Sequence, residues 1–200
     1  MRCRLYLSLP PEVSTGALEL ESFVPSLDDA MSGGDVASVL LPTTGADEAV
    51  LRRSIDRLRP MVQERDAAFL LEGRADLAVE SDCDGVHLPA SPGALKAVRQ
   101  ALGKDMLLGA DCEASRHLAM LAGVIGADYV MLDARDPDLV AWWADLMEVP
   151  CVAQGGVDLD TAPELIAAGA DFLSPDSAIW THPDGPRKAV AAFNALMAEA

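Results

Sequence analysis

The chain has 200 residues, half of them hydrophobic, and a formal net charge of −17 at pH 7. We expect residues 1–200 to form a single domain, because this length and apolar content suffice for one buried core. The excess of carboxylates argues against nucleic acids and anionic membranes as partners, since both require clustered Lys and Arg. No apolar run approaches the roughly 18 residues of a membrane span, and no export signal is recognisable, so we expect a cytoplasmic protein.

The four cysteines lie far apart in the sequence, without a CxxC pair or a cluster with histidine. They are Cys3, Cys83, Cys112 and Cys151. This spacing favours reduced cysteines that pack as small apolar residues over a disulfide framework or a zinc site.

Short apolar strands alternate with helical segments along the whole chain. The predicted strands are residues 4–9, 36–41, 67–71, 84–88, 106–109, 128–132, 151–154 and 170–174. Strands this short and apolar are typical of a parallel sheet that is covered on both faces. We therefore predict a single, compact (β/α)₈ TIM barrel. The alternative is an open doubly wound sheet, but the GxGxxG or P-loop motif expected after an early strand is missing.

The helical segments differ in how clearly the sequence marks them. Residues 46–65 have the clearest helical pattern, with an apolar stripe among many charges. Residues 14–32 are only weakly patterned, and we expect Pro25 to divide them because proline interrupts a helix.

Two consecutive turns near the end of the chain are typical of a phosphate site. Gly155 and Gly156 follow the seventh predicted strand, where backbone without a Cβ can approach a ligand closely. After the eighth strand, Ser177 and Ala178 begin a short helix whose first amides we expect to be unpaired. The loops after strands seven and eight form a common phosphate site in TIM barrels. We therefore predict that these four residues bind phosphate.

Five short motifs follow one another between residues 67 and 180. They are Asp84-Gly85-Val86-His87-Leu88, Leu108-Gly109-Ala110-Asp111, Gly126-Ala127-Asp128-Tyr129-Val130, Val152-Ala153-Gln154-Gly155-Gly156-Val157 and Ser177-Ala178-Ile179. Their order and spacing resemble those of thiamine phosphate synthase and its relative, the thiazole tautomerase. The resemblance implies a (β/α)₈ fold and an enzyme that uses Mg²⁺ to join a pyrimidine methyl diphosphate to a thiazole phosphate. It also implies that backbone amides of Gly155, Gly156 and Ser177 hold the thiazole phosphate.

The chain departs from the family pattern where the diphosphate and Mg²⁺ would bind. The family's Gln-x-Arg-x-Lys after strand two aligns with residues 40–43, which contain no basic residue. Its Asn-Asp-Arg after strand three aligns with residues 72–74, of which only Arg74 is retained. Its Gly-Gln-x-Asp after strand four aligns with residues 89–92, without the second metal ligand. Its Thr-x-Thr-Lys loop after strand six is shortened to residues 133–137.

Polar residues at the carboxyl ends of the strands are the candidates for chemistry, since TIM-barrel active sites lie there. Asp111, Glu113 and Asp133 are candidates for proton transfer, and Glu113 falls at or beside the position of the tautomerase histidine. The candidates for substrate binding are Glu72, Arg74, His87 and Gln154. Each could instead be structural. His87, within an apolar strand, is more typical of a hydrogen-bonded core residue than of a base.

Three functions stay open at this point. The first is a divergent protein of thiamine metabolism that binds a small phosphorylated heterocycle and transfers a proton. The second is a working synthase, with Mg²⁺ on a rearranged site of Asp111, Glu113 and Asp133. The third is a non-catalytic barrel that senses a ligand or binds a partner. The acidic mouth favours the first, because a diphosphate needs cations. Trp142 and Trp143, of which one should point outward, suggest a homo-oligomer contact.

Overall fold

Eight parallel strands close into a barrel in sequence order in the computed structural model, which describes residues 3–199. The strands are β1 (Arg4–Ser8), β2 (Val36–Leu41), β3 (Ala68–Glu72), β4 (Gly85–Pro89), β5 (Leu107–Asp111), β6 (Tyr129–Asp133), β7 (Cys151–Gln154) and β8 (Phe172–Ser174). Strand β8 closes the barrel by pairing with β1, with Leu173 in register with Leu5. The predicted TIM barrel is confirmed, and the open-sheet alternative is wrong because the sheet is closed.

Helices follow the strands around the outside of the barrel. Within the described residues they are α1 (Glu12–Thr15), α2 (Leu20–Met31), α3 (Glu48–Gln63), α4 (Ala75–Glu80), α5 (Pro92–Leu102), α6 (Arg116–Ile125), α7 (Pro137–Leu146), α8 (Ala162–Ala167), α9 (Ser177–Trp180) and α10 (Pro186–Glu199). Helix α3 shows why the sequence forms them: the carboxylate of Asp47 caps its first amides, and Ile55, Leu58 and Val62 face the barrel.

The expectation that Pro25 divides residues 14–32 is wrong. Helix α2 runs through Pro25 without interruption, and Phe23 and Leu27 on either side of it are buried. Burial of this apolar face offsets the one backbone hydrogen bond that proline cannot make. The division lies earlier, at Gly16, whose φ of 78° ends α1 in a left-handed conformation.

Two layers of apolar side chains make up the core. The larger lies between the strands and the helices, and the smaller fills the barrel interior. The interior layer consists of Tyr6, Leu40, Leu70, Tyr129, Met131 and Val152. All four cysteines are free and buried, as predicted. Between residues 3 and 199, no helix is both long and apolar enough to cross a membrane.

Candidate active site at the carboxyl end of the barrel

Two adjoining cavities open at the carboxyl ends of the strands. The first, here the rim cavity, has a volume of about 430 Å³, and its polar lining is Asp111, Glu113, Asp133, Arg135, Gln154, Gly155 and Asp176. The second, here the proline cavity, has a volume of about 450 Å³ and is lined by residues that include Pro10, Pro11, Pro42, Ser177 and Trp180. Gln154 and Asp176 line both cavities, so these two side chains form the wall between them.

The three predicted proton-transfer residues come together at the rim cavity. Asp111 Oδ1 accepts a hydrogen bond from the Glu113 amide at 3.0 Å, and the Glu113 carbonyl accepts one from the Asp133 amide at 3.0 Å. Glu113 adopts a left-handed conformation, with φ of 48°. Burial raises the pKa of Asp111, and the nearby charges of Glu113, Glu72 and Asp133 raise it further. Asp111 is thus more inclined to hold a proton than a solvent-exposed aspartate.

Arg135 is the cation of the rim cavity. Its Nε donates to Asp133 Oδ1 at 2.8 Å and its Nη2 to Asp133 Oδ2 at 2.7 Å, and these bonds lower the pKa of Asp133. The Nη1 group makes none of the described hydrogen bonds and is available to a ligand. A Cβ built on Gly155 would lie 3.9 Å from Arg135 Nε, so the guanidinium stands beside the glycine pair. Asp133 Oδ1 would lie nearer still, at 3.4 Å from this Cβ. The short loop after β6 therefore brings a paired guanidinium, with its Nη1 group free, to the predicted phosphate site.

The glycine pair has the backbone conformation that the phosphate hypothesis needs. Gly155 and Gly156 have φ of 97° and 75°, which side chains rarely tolerate. Neither amide donates any of the hydrogen bonds found among residues 3–199. The second half of the predicted site differs from expectation: Ala178 donates its amide to the Pro175 carbonyl at 2.8 Å. The expectation of unpaired first amides in α9 is wrong for this residue, because α9 begins as a tight turn.

Asp176 places a carboxylate between the rim cavity and the proline cavity. Its Oδ1 accepts hydrogen bonds from Ser174 Oγ at 3.0 Å and from Gln154 Nε2 at 3.4 Å. Burial raises the pKa of Asp176, although these two bonds act in the opposite direction. Gln154, a predicted substrate-binding residue, is therefore hydrogen-bonded to the Asp176 carboxylate.

His87 belongs to a hydrogen-bonded chain inside the barrel, below the cavities. Tyr6 and Tyr129 join their hydroxyls at 2.9 Å, and the Tyr129 hydroxyl lies 3.0 Å from His87 Nδ1. Gly109 makes room for this arrangement, since a Cβ there would lie 2.0 Å from Tyr129 Cζ. Burial lowers the pKa of His87 to about 4, so the imidazole is neutral at physiological pH. The interpretation of His87 as a hydrogen-bonded core residue is confirmed.

Glu72 and Arg74 lie outside the lining of both cavities. Glu72 Oε2 accepts hydrogen bonds from the amides of Thr43 and Thr44, so it closes the loop after β2. Arg74 pairs with Asp76 at 2.7 Å. Both side chains thus already have structural partners.

The carboxylates at the rim have the oxygen donors that Mg²⁺ prefers, but their side chains do not by themselves form a site for the ion. No group of three Asp, Glu, His or Cys side chains in the described part of the chain is placed to hold a metal. Both oxygens of Asp133 are already taken by Arg135. We therefore assign no step to Mg²⁺.

Two residues of the site were not among the sequence candidates. Asp176 lies within the break between β8 and α9, where the sequence gives a turn signal but no clue that the side chain points inward. Arg135 lies in the shortened loop after β6, and its position beside Gly155 depends on the closed barrel.

The two adjacent tryptophans of α7 differ in exposure. Trp143 is buried and donates a hydrogen bond to the Val149 carbonyl at 2.7 Å. Trp142 is partly exposed, and the Arg116 guanidinium lies over its ring.

Comparison with known proteins gives consistent results. A family model described as thiamine monophosphate synthase matches residues 12–179. A thiamine-phosphate synthase of Rhodospirillum centenum is 45% identical over 207 residues, covering 98% of each chain. Another, of Hyphomonas neptunium, is 38% identical and covers 98% of this chain and 94% of the relative. The solved structure of thiamine phosphate pyrophosphorylase from Pyrococcus furiosus matches with a TM-score of 0.84, covering 99% of this chain and 96% of that one. At 24% identity, that structural match supports the fold alone.

Proposed function

Because the chain belongs to the thiamine monophosphate synthase family, we propose that it acts in thiamine biosynthesis and binds a thiazole phosphate or a similar monophosphorylated heterocycle. The phosphate lies in the rim cavity beside Gly155, with the unpaired amides of Gly155 and Gly156 as its donors, while Ser177 lines the adjoining proline cavity. The observation that carries this proposal is the position of Arg135 beside the glycine pair. Unpaired amides and a guanidinium together form the usual recognition set for a phosphate.

Proton transfer is the chemistry that this site supports best. Asp111 lines the same cavity as Gly155, so a heterocycle whose phosphate is held by the glycine pair extends towards this carboxyl. Its raised pKa brings the acid closer to the working pH, where a carboxyl exchanges protons most effectively. We propose Asp111 as the proton carrier. Glu113 donates its amide to Asp111 and serves as a positioning residue.

Binding is tested by titration calorimetry with thiazole phosphate and with the unphosphorylated thiazole alcohol. We expect the phosphate to bind and the alcohol to bind at least tenfold more weakly, since it lacks the charged hydrogen bonds. Arg135→Ala should weaken binding of the phosphate by about tenfold, which is the effect of losing one exposed charged contact. Arg74→Ala is the matched control and should bind normally, because Arg74 is paired with Asp76 outside both cavities. Equal binding of phosphate and alcohol would contradict the proposal.

Proton transfer is tested by following exchange of carbon-bound hydrogens of thiazole phosphate in D₂O by NMR. We expect exchange above the rate of a buffer blank, and loss of that excess in Asp111→Asn. Asp133→Asn is the comparison variant, because Asp133 is held by Arg135 and its pKa is lowered. An exchange rate in Asp111→Asn equal to that of the unaltered protein would remove Asp111 from this role.

A second candidate is the complete synthase reaction, in which two heterocycles are joined. The specific observation in its favour is the pair of adjoining cavities of similar volume, separated only by Gln154 and Asp176. The proline cavity is lined mainly by apolar groups, among them Trp180, and suits a flat ring. Formation of thiamine phosphate from pyrimidine methyl diphosphate and thiazole phosphate, in buffer containing Mg²⁺, would establish this reaction. Binding of thiazole phosphate without product formation would limit the protein to the first function.

A further inference from the structure

Asp176 is an unexpected neighbour for a bound phosphate. Its carboxylate lines the same cavity as Gly155 and Arg135, where the phosphate is proposed to bind. Two negatively charged groups at close range in a partly buried site repel each other strongly. The carboxylate cannot simply turn away, because Ser174 and Gln154 both hold its Oδ1. The cavity therefore places a fixed acid beside the ligand's own charge.

The second carboxylate oxygen of Asp176 is not engaged by the residues that the structure describes. Oδ2 accepts no hydrogen bond from any side chain or amide among residues 3–199, while Asp176 lines both cavities. A proton on this oxygen would turn a repelling acceptor into a hydrogen-bond donor to a phosphate oxygen. Burial, which disfavours the charged form of the acid, acts in the same direction.

The groups around Asp176 do not neutralise it in another way. The charged and titratable side chains that face it are Asp111 and Glu113 after β5, Asp133 and Arg135 after β6, Tyr6 in β1 and Glu12 in α1. Only one of these is a cation, and it already pairs with Asp133 through two hydrogen bonds. The remaining acids increase the repulsion that a doubly charged phosphate meets.

We propose that this site binds its monophosphate together with one proton, which Asp176 shares with a phosphate oxygen. Asp176 thereby determines the ionisation state of the ligand that the site accepts. This inference rests on the proposed function, since it concerns the same phosphate. Where the free ligand is a dianion and Asp176 is ionised, the shared proton must come from solvent. Linkage then requires that the affinity fall by up to about tenfold for each further pH unit.

The experiment is titration calorimetry of thiazole phosphate at pH 8.0 in two buffers with different heats of ionisation. The difference in apparent binding enthalpy gives the number of protons taken up. We expect about one proton for the unaltered protein and close to zero for Asp176→Asn, and the variant should also bind more tightly at this pH. Asparagine is suitable because it has nearly the same shape as aspartate and keeps an Oδ1 acceptor for Ser174 and Gln154. A thermal melt establishes that the variant is folded.

The matched control is Asp111→Asn, which removes another carboxylate from the same cavity and should leave proton uptake unchanged. Binding without proton uptake in the unaltered protein would overturn this inference and leave the proposed function standing. Loss of uptake in Asp111→Asn but not in Asp176→Asn would also overturn it. An absence of binding from pH 5.5 to pH 8.0 would refute the proposed function and this inference together. The measurement on the unaltered protein decides the question even if Asp176→Asn does not fold.

Discussion

Replacement of Gly109 by alanine is the sharpest test of the barrel interior. A Cβ at this position would lie 2.0 Å from Tyr129 Cζ and 2.2 Å from its hydroxyl oxygen. Gly109 does not have a positive φ, so the effect comes from the contact and not from backbone strain. The Tyr129 ring must move, although it is stacked on His87 and hydrogen-bonded to it.

The expected loss of stability follows from these contacts. Overpacking of a filled interior costs about 1–3 kcal/mol. Displacement of the Tyr129 hydroxyl also breaks two hydrogen bonds, to Tyr6 and His87, each with a net contribution of about 0.5–1.5 kcal/mol. Gly109→Ala should therefore lower the free energy of unfolding by about 2–6 kcal/mol, a large fraction of the stability of a typical domain.

Urea unfolding followed by tryptophan fluorescence measures this effect. Gly93→Ala in α5 is the control, because nothing lies within 4 Å of the added Cβ, and it should be neutral or stabilising by up to about 1 kcal/mol. In a protein that already carries Tyr129→Leu, the same Gly109→Ala change should cost far less, since the ring is gone. A Gly109→Ala cost below about 0.5 kcal/mol, or full additivity with Tyr129→Leu, would refute the proposed contact.

Two further predictions concern the rim. Because burial raises the pKa of Asp111 above its unfolded value, protonation favours the folded state, and this contribution disappears as pH rises through the folded pKa. Thermal melts should therefore show a smaller loss of stability between pH 4.5 and pH 8 in Asp111→Asn than in the unaltered protein; an unchanged pH dependence would contradict this. Gly155→Ala and Gly103→Ala, at φ of 97° and 69°, should each lower the free energy of unfolding by about 1–3 kcal/mol, because a side chain strains the backbone at positive φ. Only Gly155→Ala should also lose affinity for thiazole phosphate.

The architecture of the barrel could be predicted because it depends on local signals repeated eight times. Each strand is a short apolar run followed by a helix with one buried face, and no long-range information is needed to recognise such a unit. Pro25 shows the limit of local signals. Its effect on a helix depends on what the neighbouring residues Phe23 and Leu27 bury, and only the packed structure determines that.

The candidate site was predictable only in part, because its chemistry depends on contacts between distant segments. The sequence placed Gly155 and Asp111 at strand ends, which follows from the barrel rule. It could not show that Arg135 pairs with Asp133 beside the glycine pair, or that Glu72 closes the loop after β2. A charged residue at a strand end can face a ligand or a neighbouring loop, and the sequence pattern is the same in both cases.

The balance of charge at the rim explains how an acidic mouth is compatible with an anionic ligand. Asp133 and Arg135 neutralise each other, and Asp111 and Asp176 are acids whose burial favours the uncharged form. We propose that Asp176 decides this balance. With Asp176 protonated, the rim cavity offers a phosphate a guanidinium, free amides and one hydroxyl donor. With Asp176 ionised, the cavity repels the phosphate. The protonation of this one buried carboxyl, and not the net charge of the chain, is therefore the proposed determinant of what this site binds.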